Sequence, residues 1–329
     1  MIFLTSLILA SAVQSFSFSD SLWELSRPLH QSTFTFKPDR TRHSEKETIA
    51  DRIRDDEKFS KLRSFLDKDD SLYDELADKN AELTFFAPTD DAFEAFEHEK
   101  DRDYDMGEIL RYHMTREKLS TKDWYPGYLI KTVLQLSSLK DDHQRLRVER
   151  IRGDWFISYS RLIEPDVKLA NGMIHAVDRL VMPPKNLWKR LHEFPTLFST
   201  LTTALHVTGL KGLDDHPALT LFAPTNDAWK TLGYRNLAYL FSTEEGIKDL
   251  RKILLHHVGK EVVYSYEVYE SKESIKIDTM EGSVMLKAVC PHEGKCHDRK
   301  ERIMVLNQGE ARVVFHDGLA GKFKIISCL

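Results

Sequence analysis

The sequence predicts an α+β protein built as two tandem domains of one design. Three observations lead there. A decapeptide occurs twice, as TFFAPTDDAF from Thr84 to Phe93 and as TLFAPTNDAW from Thr220 to Trp229, identical at seven of ten positions. The copies lie 136 residues apart, far beyond a solenoid period, so they mark duplicated domains. In each copy helix-period segments come first. Short alternating segments separated by Gly, Asp and Ser follow, which is the α+β order.

The elements follow in chain order. From Thr48, the apolar residues Ile49, Ile53, Phe59, Leu62, Phe65 and Leu66 recur at helical steps with charges between them, predicting a first helix with a solvated charged face. A second short helix is predicted over 71–77. Leu83 to Phe86 is short and apolar, suited to a buried strand, which Pro88 ends because it cannot donate to a ladder. Thr89 then suits an N-cap, and Asp90 and Asp91 stand at the positive end of the helix dipole. The second copy repeats the logic with Pro224, Thr225, Asp227 and Trp229. A helix over 105–114 ends in LRYHMT and its counterpart reads LRKILLHHV, so Tyr112-His113 aligns with His256-His257 at an offset of 144. About eight extra residues therefore sit around YRNLAYLFST in the second copy. LRVERI, DWFISYS, VVYSYEVYE, SVMLKAVC and RIMVL read as strands. Asn171-Gly172 reads as a turn that tolerates positive φ. Met173 to Val181 reads as a nearly continuous buried strand, and Pro183-Pro184 closes the domain. The domains are thus expected at 47–184 and 185–329.

The 329 residues are 41% hydrophobic and 30% charged, enough for two cores without staples. A net charge of -5 argues against a general nucleic-acid binder, which carries a basic footprint. Residues 1–15, MIFLTSLILASAVQS, have the apolar core and the Ala10/Ala12 pair of a secretory signal peptide, although the usual leading positive charge is missing. A buried N-terminal helix is the alternative. The stretch is short for a membrane span, and no later run reaches span length. Residues 16–46 read as a disordered leader. No Asn-x-Ser/Thr sequon occurs, so N-glycosylation is not expected on the secretory route.

In secretion, Cys290 and Cys296 could close a small disulfide loop. Free thiols, or a metal held with His292 and His297, are the alternatives, but the spacing fits no standard zinc pattern. No metal and no cofactor is assigned.

TFFAPTDDAF resembles the first signature of fasciclin-like (fasciclin I type) domains, Tyr112-His113 their central motif, and NGMIHAVDRLVMPP, from Asn171 to Pro184, their second signature. All three stand in the family's order, in what resembles a fungal-type secreted form. The resemblance implies a β-sandwich wedge flanked by helices and a non-enzymatic role in cell adhesion or matrix or wall association. Its partners would be cell-surface or matrix proteins or glycans, with Thr89, Asp91, Thr225, Asp227, Asn171, Gly172 and His175 as structural signature residues. The second domain departs from the pattern. FHDGLAGKFKIISCL stands where the Asn-Gly strand should begin, so that last signature strand is expected to be missing or replaced by KFKIISCL. Codons for Gly321-Lys322-Phe323 can contain a splice-donor sequence, which would make the tail translated intron. A genuine tail would leave a sheet edge open to weak homotypic association.

His113, His175, His256 and His257 have no accompanying nucleophile or metal-ligand spacing and read as buried histidines satisfying backbone groups. Asp90 and Asp91 read as helix-end electrostatics, because Asn226 replaces the first of them in the other copy. Glu164-Pro165-Asp166 resembles a segment linked to integrin recognition in animal members of the family, and suits an exposed turn. The region matching Tyr112 and His113 has similar roles in the family, although its helical, apolar context points to core packing. The expected function is therefore secreted, non-enzymatic binding through these surfaces. The alternatives are a metal-dependent hydrolase using the histidines, or a membrane-anchored surface protein if the C-terminus is incorrect as written.

Overall fold

The computed structural model describes residues 46–97, 105–184, 186–216, 218–271, 273–290, 303–307, 311–320 and 323–328, with side chains described up to Val313 except those of Ser138, Asp214 and Asp215. The expected signal peptide, the leader up to residue 45, and Cys296 with His292 and His297 lie outside the described residues.

Helix α1 (Ile49–Asp55) opens with a reciprocal cap: Asp51 N donates to Thr48 Oγ1 at 3.2 Å, and Thr48 N to Asp51 Oδ2 at 3.1 Å. It does not run on to Leu66 as the periodicity predicts. Asp56 is extended and its carboxylate accepts from Lys58 N at 3.2 Å, starting a 3-10 turn over Glu57–Phe59 before α2 (Ser60–Leu66). An aspartate gains more by capping than by sitting inside a helix, which breaks the pattern there. Helix α3 (Asp70–Ala77) is capped by Asp69. Then come β1 (Leu83–Pro88), α4 (Asp90–Glu97), α5 (Met106–Tyr112) and β2 (Met114–Thr115). Strands β3 (Leu129–Gln135), β4 (His143–Ile151), β5 (Asp154–Ile157), β6 (Ser160–Leu169) and β7 (Gly172–Val177) complete the first domain.

These strands form one sheet in the order β2-β1-β7-β6-β5-β4-β3. All neighbours are antiparallel except β1 and β7, which run parallel with Leu83 opposite Gly172 and Pro88 opposite Val177. The period of two along β1 divides the core. Leu83, Phe85 and Ala87 face a cluster with Ile49, Ile53, Leu62 and Leu72 of the helices. Phe86 faces a second cluster with Trp124, Ile130, Leu146 and Val148. Burying each of these large side chains contributes about 2 kcal/mol. Strand β1 is thus buried on both sides, which explains its unbroken apolar sequence.

The second domain repeats the plan. Helices α6 (Leu187–His192) and α7 (Pro195–Val207) lead to β8 (Leu219–Pro224), α8 (Asn226–Thr231), α9 (Gly233–Ser242) and α10 (Glu244–His256). Helix α9 holds most of the YRNLAYLFST stretch in which the second copy is longer. After β9 (Val258–Gly259) comes α11 (Ser265–Glu270), where the alternation in VVYSYEVYE predicts a strand. Glu267 reaches back to Tyr264 N at 3.4 Å and Val268 turns into the core, so a capped helix turn overrides the alternation. Strands β10 (Ile275–Thr279), β11 (Gly282–Val289), β12 (Ile303–Leu306), β13 (Ala311–Ala320) and β14 (Phe323–Cys328) follow. Here the ring closes as β10-β11-β12-β13-β14-β8-β9, because Thr279 of β10 pairs with Gly259 of β9.

Of the two expectations for the end of the second domain, a missing strand fails and replacement by KFKIISCL holds. Strand β14 runs parallel to β8, with Phe323 opposite Leu219 and Cys328 opposite Pro224. That is the register of β7 on β1. The Asn-Gly signature is absent from the second domain, but its strand position is filled by the KFKIISCL segment. A buried β8 leaves a row of backbone groups that some strand must satisfy, and pairing depends less on sequence than on that demand. Between the domains, the Arg145 guanidinium lies 5.1 Å over the Tyr264 ring.

Candidate functional site

The signature residues converge on the first β strand of each domain. Thr84 Oγ1 donates to Glu117 O at 2.7 Å and accepts from Leu119 N at 2.9 Å. Thr220 repeats both bonds with Glu261 O at 2.7 Å and Val263 N at 2.9 Å. Each threonine therefore pins the segment after the helix to the strand, with its donor and its acceptor both engaged.

His175 lies on β7 beside this pin and is fully buried. Its ring stacks 5.5 Å from Phe86 and lies 5.2 Å from Trp124. Nδ1 accepts from Asp166 N at 3.0 Å, so the proton sits on Nε2, which donates to Leu119 O at 3.0 Å. Burial lowers its pKa, against smaller raising effects of the Leu119 bond and the Asp166 charge. The ring is neutral, with both nitrogens satisfied.

Asp166 belongs to the Glu164-Pro165-Asp166 segment. The segment is a bulge on β6, where register shifts flank Glu164, and not the free turn the sequence suggests. Asp166 has φ +61, and its carboxylate accepts from Thr121 N at 2.8 Å and from the Thr121 hydroxyl. Burial acts to raise its pKa, but the two Thr121 bonds outweigh it and bring the carboxyl below its usual range. Glu164 is held by Lys58 and lies 3.6 Å from Arg52, which also pairs with Asp56 at 2.9 Å. The charge run of the first helix is thus partly drawn into this cluster and is not a purely solvated face. Pro165 is exposed at the crest.

Tyr112 and His113 are 1% and 0% exposed, so they offer no contact surface to a partner. Tyr112 Oη donates to Arg145 O at 2.7 Å, and burial first of all pushes the phenol pKa well up. His113 Nδ1 donates to Ile109 O at 2.8 Å and Nε2 accepts from Val181 N at 2.9 Å. Its pKa is lowered to about 4 by burial, with the Ile109 bond acting in the opposite direction. His257 keeps the first of these bonds, at 2.7 Å to Ile253 O, and burial lowers its pKa too. In the first domain His113 and His175 have both ring nitrogens engaged, and no group of three or more His, Cys, Asp or Glu among the described residues is placed to hold a metal ion.

Asp90 and Asp91 do not form a pair. Asp90 Oδ1 accepts from Lys61 N at 2.8 Å and Oδ2 from Ser60 Oγ at 2.5 Å, capping α2 across space, while Asp91 is exposed in the first turn of α4. Asn226 takes the same place in the second domain, accepting from Thr200 N at 2.9 Å. Thr225 caps α8 through Ala228 N at 3.3 Å, with Asp227 in the first turn, and Thr89 Oγ1 lies 3.4 Å from Val177 O. Asn171 does more than form a turn. Its Oδ1 accepts from Ile49 N at 2.9 Å and its Nδ2 donates to Leu76 O at 2.8 Å and Asp78 O at 3.0 Å, tying α1, α3 and β7 together. Cys290 is disulfide-bonded.

Among the described residues no helix is long and apolar enough to cross a membrane. The Fasciclin domain model matches residues 57–183 and 193–322. Transforming growth factor-beta-induced protein ig-h3 of Sus scrofa is 23% identical over 210 residues, covering 62% of this chain and 29% of that protein. Periostin of Homo sapiens is 26% identical over 212 residues, 64% of this chain and 24% of its own length. Aurofusarin biosynthesis cluster protein S of Gibberella zeae is 26% identical over 230 residues, 66% of this chain and 55% of that protein. The chain therefore spans under a third of ig-h3 and of periostin. A solved FAS1 domain pair from the insect cell adhesion molecule fasciclin I aligns at 17% identity with a TM-score of 0.39, covering 82% of this chain and 95% of that one.

Proposed function

Because the chain belongs to the fasciclin-domain family, we propose that it is a secreted, non-enzymatic binding protein of the cell surface, matrix or wall. The observation that carries this reading is the state of its histidines. His113 and His175 have both nitrogens hydrogen-bonded and sit inside the fold, so they serve the scaffold and cannot exchange protons with a substrate. The candidate contact is the Glu164–Asp166 bulge. Asp166 is held in a left-handed conformation by Thr121 and His175, and the exposed Pro165 is presented on a backbone already fixed. Such preorganisation removes much of the ordering cost of binding.

The test uses the full chain as a coating for native cells or matrix fragments, with Glu164→Gln and Pro165→Ser as variants. Both leave the Thr121–Asp166–His175 bonds in place. Attachment reduced roughly tenfold is the expected result in both variants, with unchanged thermal stability in Pro165→Ser and at most about 1 kcal/mol lost in Glu164→Gln, whose ion pairs with Lys58 and Arg52 are removed. Attachment unchanged in both variants removes the bulge as the contact. The similarity to a protein of a biosynthesis cluster favours a second reading, service to such a cluster, for which the sequence offers a metal-dependent hydrolase as the form. Stoichiometric zinc or copper in the purified protein would support that reading over the first.

A further inference from the structure

Away from these networks, a cleft of about 660 Å³ opens on the second domain between α6, α7 and the 3-10 turn Leu210–Asp215. Trp188, His192, Thr202, Thr203, His206 and Lys211 line it. None of these residues belongs to a family signature or to the domain core clusters apart from Trp188, which packs against the core from its edge.

The lining is fixed from below. Trp188 Nε1 donates to Lys211 O at 2.9 Å, which sets the indole against the turn. His192 Nδ1 donates to Trp188 O at 2.7 Å, and the two rings lie 6.2 Å apart at 42°. Thr202 and Thr203 donate their hydroxyl hydrogens back into α7, to Phe198 O at 2.5 Å and Ser199 O at 2.9 Å. Their oxygens therefore keep acceptor lone pairs for a ligand. Lys211 and His206 are exposed at the rim, and the described lining holds no carboxylate. The cleft thus combines one aromatic body, two hydroxyl acceptors, two imidazoles and an ammonium.

We infer that this cleft binds an acidic saccharide, a pyranose unit carrying a carboxylate. The indole suits the apolar C–H face of a sugar ring, the threonine oxygens suit its hydroxyls, and Lys211 suits its charge. A bare inorganic anion would leave the indole without a role, and a purely apolar ligand would bury the threonine oxygens unpaired. The size lies in the range of small-molecule sites. The inference rests on the binding-protein reading for its setting, because it names a ligand class that a wall or matrix supplies.

The experiment is calorimetric titration of the full chain with trigalacturonate, maltotriose and inorganic phosphate, at one ionic strength. Saturable binding of trigalacturonate, at least roughly tenfold tighter than maltotriose or phosphate, is expected, with a similar loss in Trp188→Ala from the missing ring contact and in Lys211→Glu from the reversed charge. Lys211 is exposed, so Lys211→Glu decides the matter if Trp188→Ala fails to fold. Absence of saturation, phosphate binding as tightly as trigalacturonate, or unaltered binding in Lys211→Glu overturns the assignment. Cell attachment by the same preparations separates the two proposals. A chain that binds trigalacturonate but attaches to nothing keeps the cleft and loses the adhesive reading, and attachment without saccharide binding does the reverse.

Discussion

At the scale of single residues, what repeats between the domains is hydrogen-bonding geometry and not charge. Asp90 and Asn226 differ by one formal charge, yet each places Oδ1 on a helix amide, Lys61 N at 2.8 Å and Thr200 N at 2.9 Å. An acceptor at that point is what the fold requires. Asp90→Asn should therefore change stability by less than about 0.5 kcal/mol, whereas Asp90→Ala should cost about 1 kcal/mol, the usual value of a lost helix cap. Urea unfolding of the two variants checks this. Equal losses in both would mean that the carboxylate charge matters after all. Thr84 and Thr220 make the same pair of bonds, to the carbonyls of Glu117 and Glu261 and from the amides of Leu119 and Val263, so the backbone and not the side chain is what they read.

At the scale of elements, the pivotal feature is the parallel pair at the centre of each domain. Gly172 begins β7 with φ +151, and a Cβ there would lie 1.9 Å from Leu83 O on the partner strand. Gly172→Ala should consequently destabilise the first domain by more than about 3 kcal/mol, through displaced backbone and not through lost packing. A Tm shift below a few degrees would show that β1 and β7 can separate without cost. Much of this layer was legible in the sequence. The strand–proline–threonine–acid order of Leu83 to Asp91 reports a strand, its stop and a helix start from local chemistry alone. The second copy made the duplication plain. What was not legible depended on contacts across the chain. The periodicity from Ile49 to Leu66 gave no sign that Asp56 would cap a new turn. The composition of Glu164-Pro165-Asp166 suggested a free turn, because its carboxylate partners Thr121, Lys58 and Arg52 lie 45 to 112 residues away. Asn171 looked like a turn residue, although its side chain spans 122 residues to Ile49 N. Whether KFKIISCL replaces the signature strand or leaves its place empty could not be decided from a segment lacking the signature, since that is set by the unfilled edge of β8.

At the scale of the whole molecule, each domain keeps buried histidines whose burial disfavours the charged form. His113, His175 and His257 all have lowered pKa values, with burial the leading cause. The sign of the consequence follows from proton binding. Unfolded histidines take up protons as the pH falls through about 6.5, while the folded His113 stays neutral until about 4. Stability is therefore full above about pH 6.5 and declines as the pH drops toward 4, by on the order of 3 kcal/mol from His113 alone. The central claim, that these imidazoles serve the fold and perform no turnover, is tested most directly by imidazole nitrogen NMR of the full chain across this pH range. His113 is expected as the Nδ1–H tautomer and His175 as the Nε2–H tautomer, both unaltered by added zinc, with His113 protonating only near pH 4. Either ring titrating near pH 6.5, or shifting on stoichiometric zinc, would contradict it.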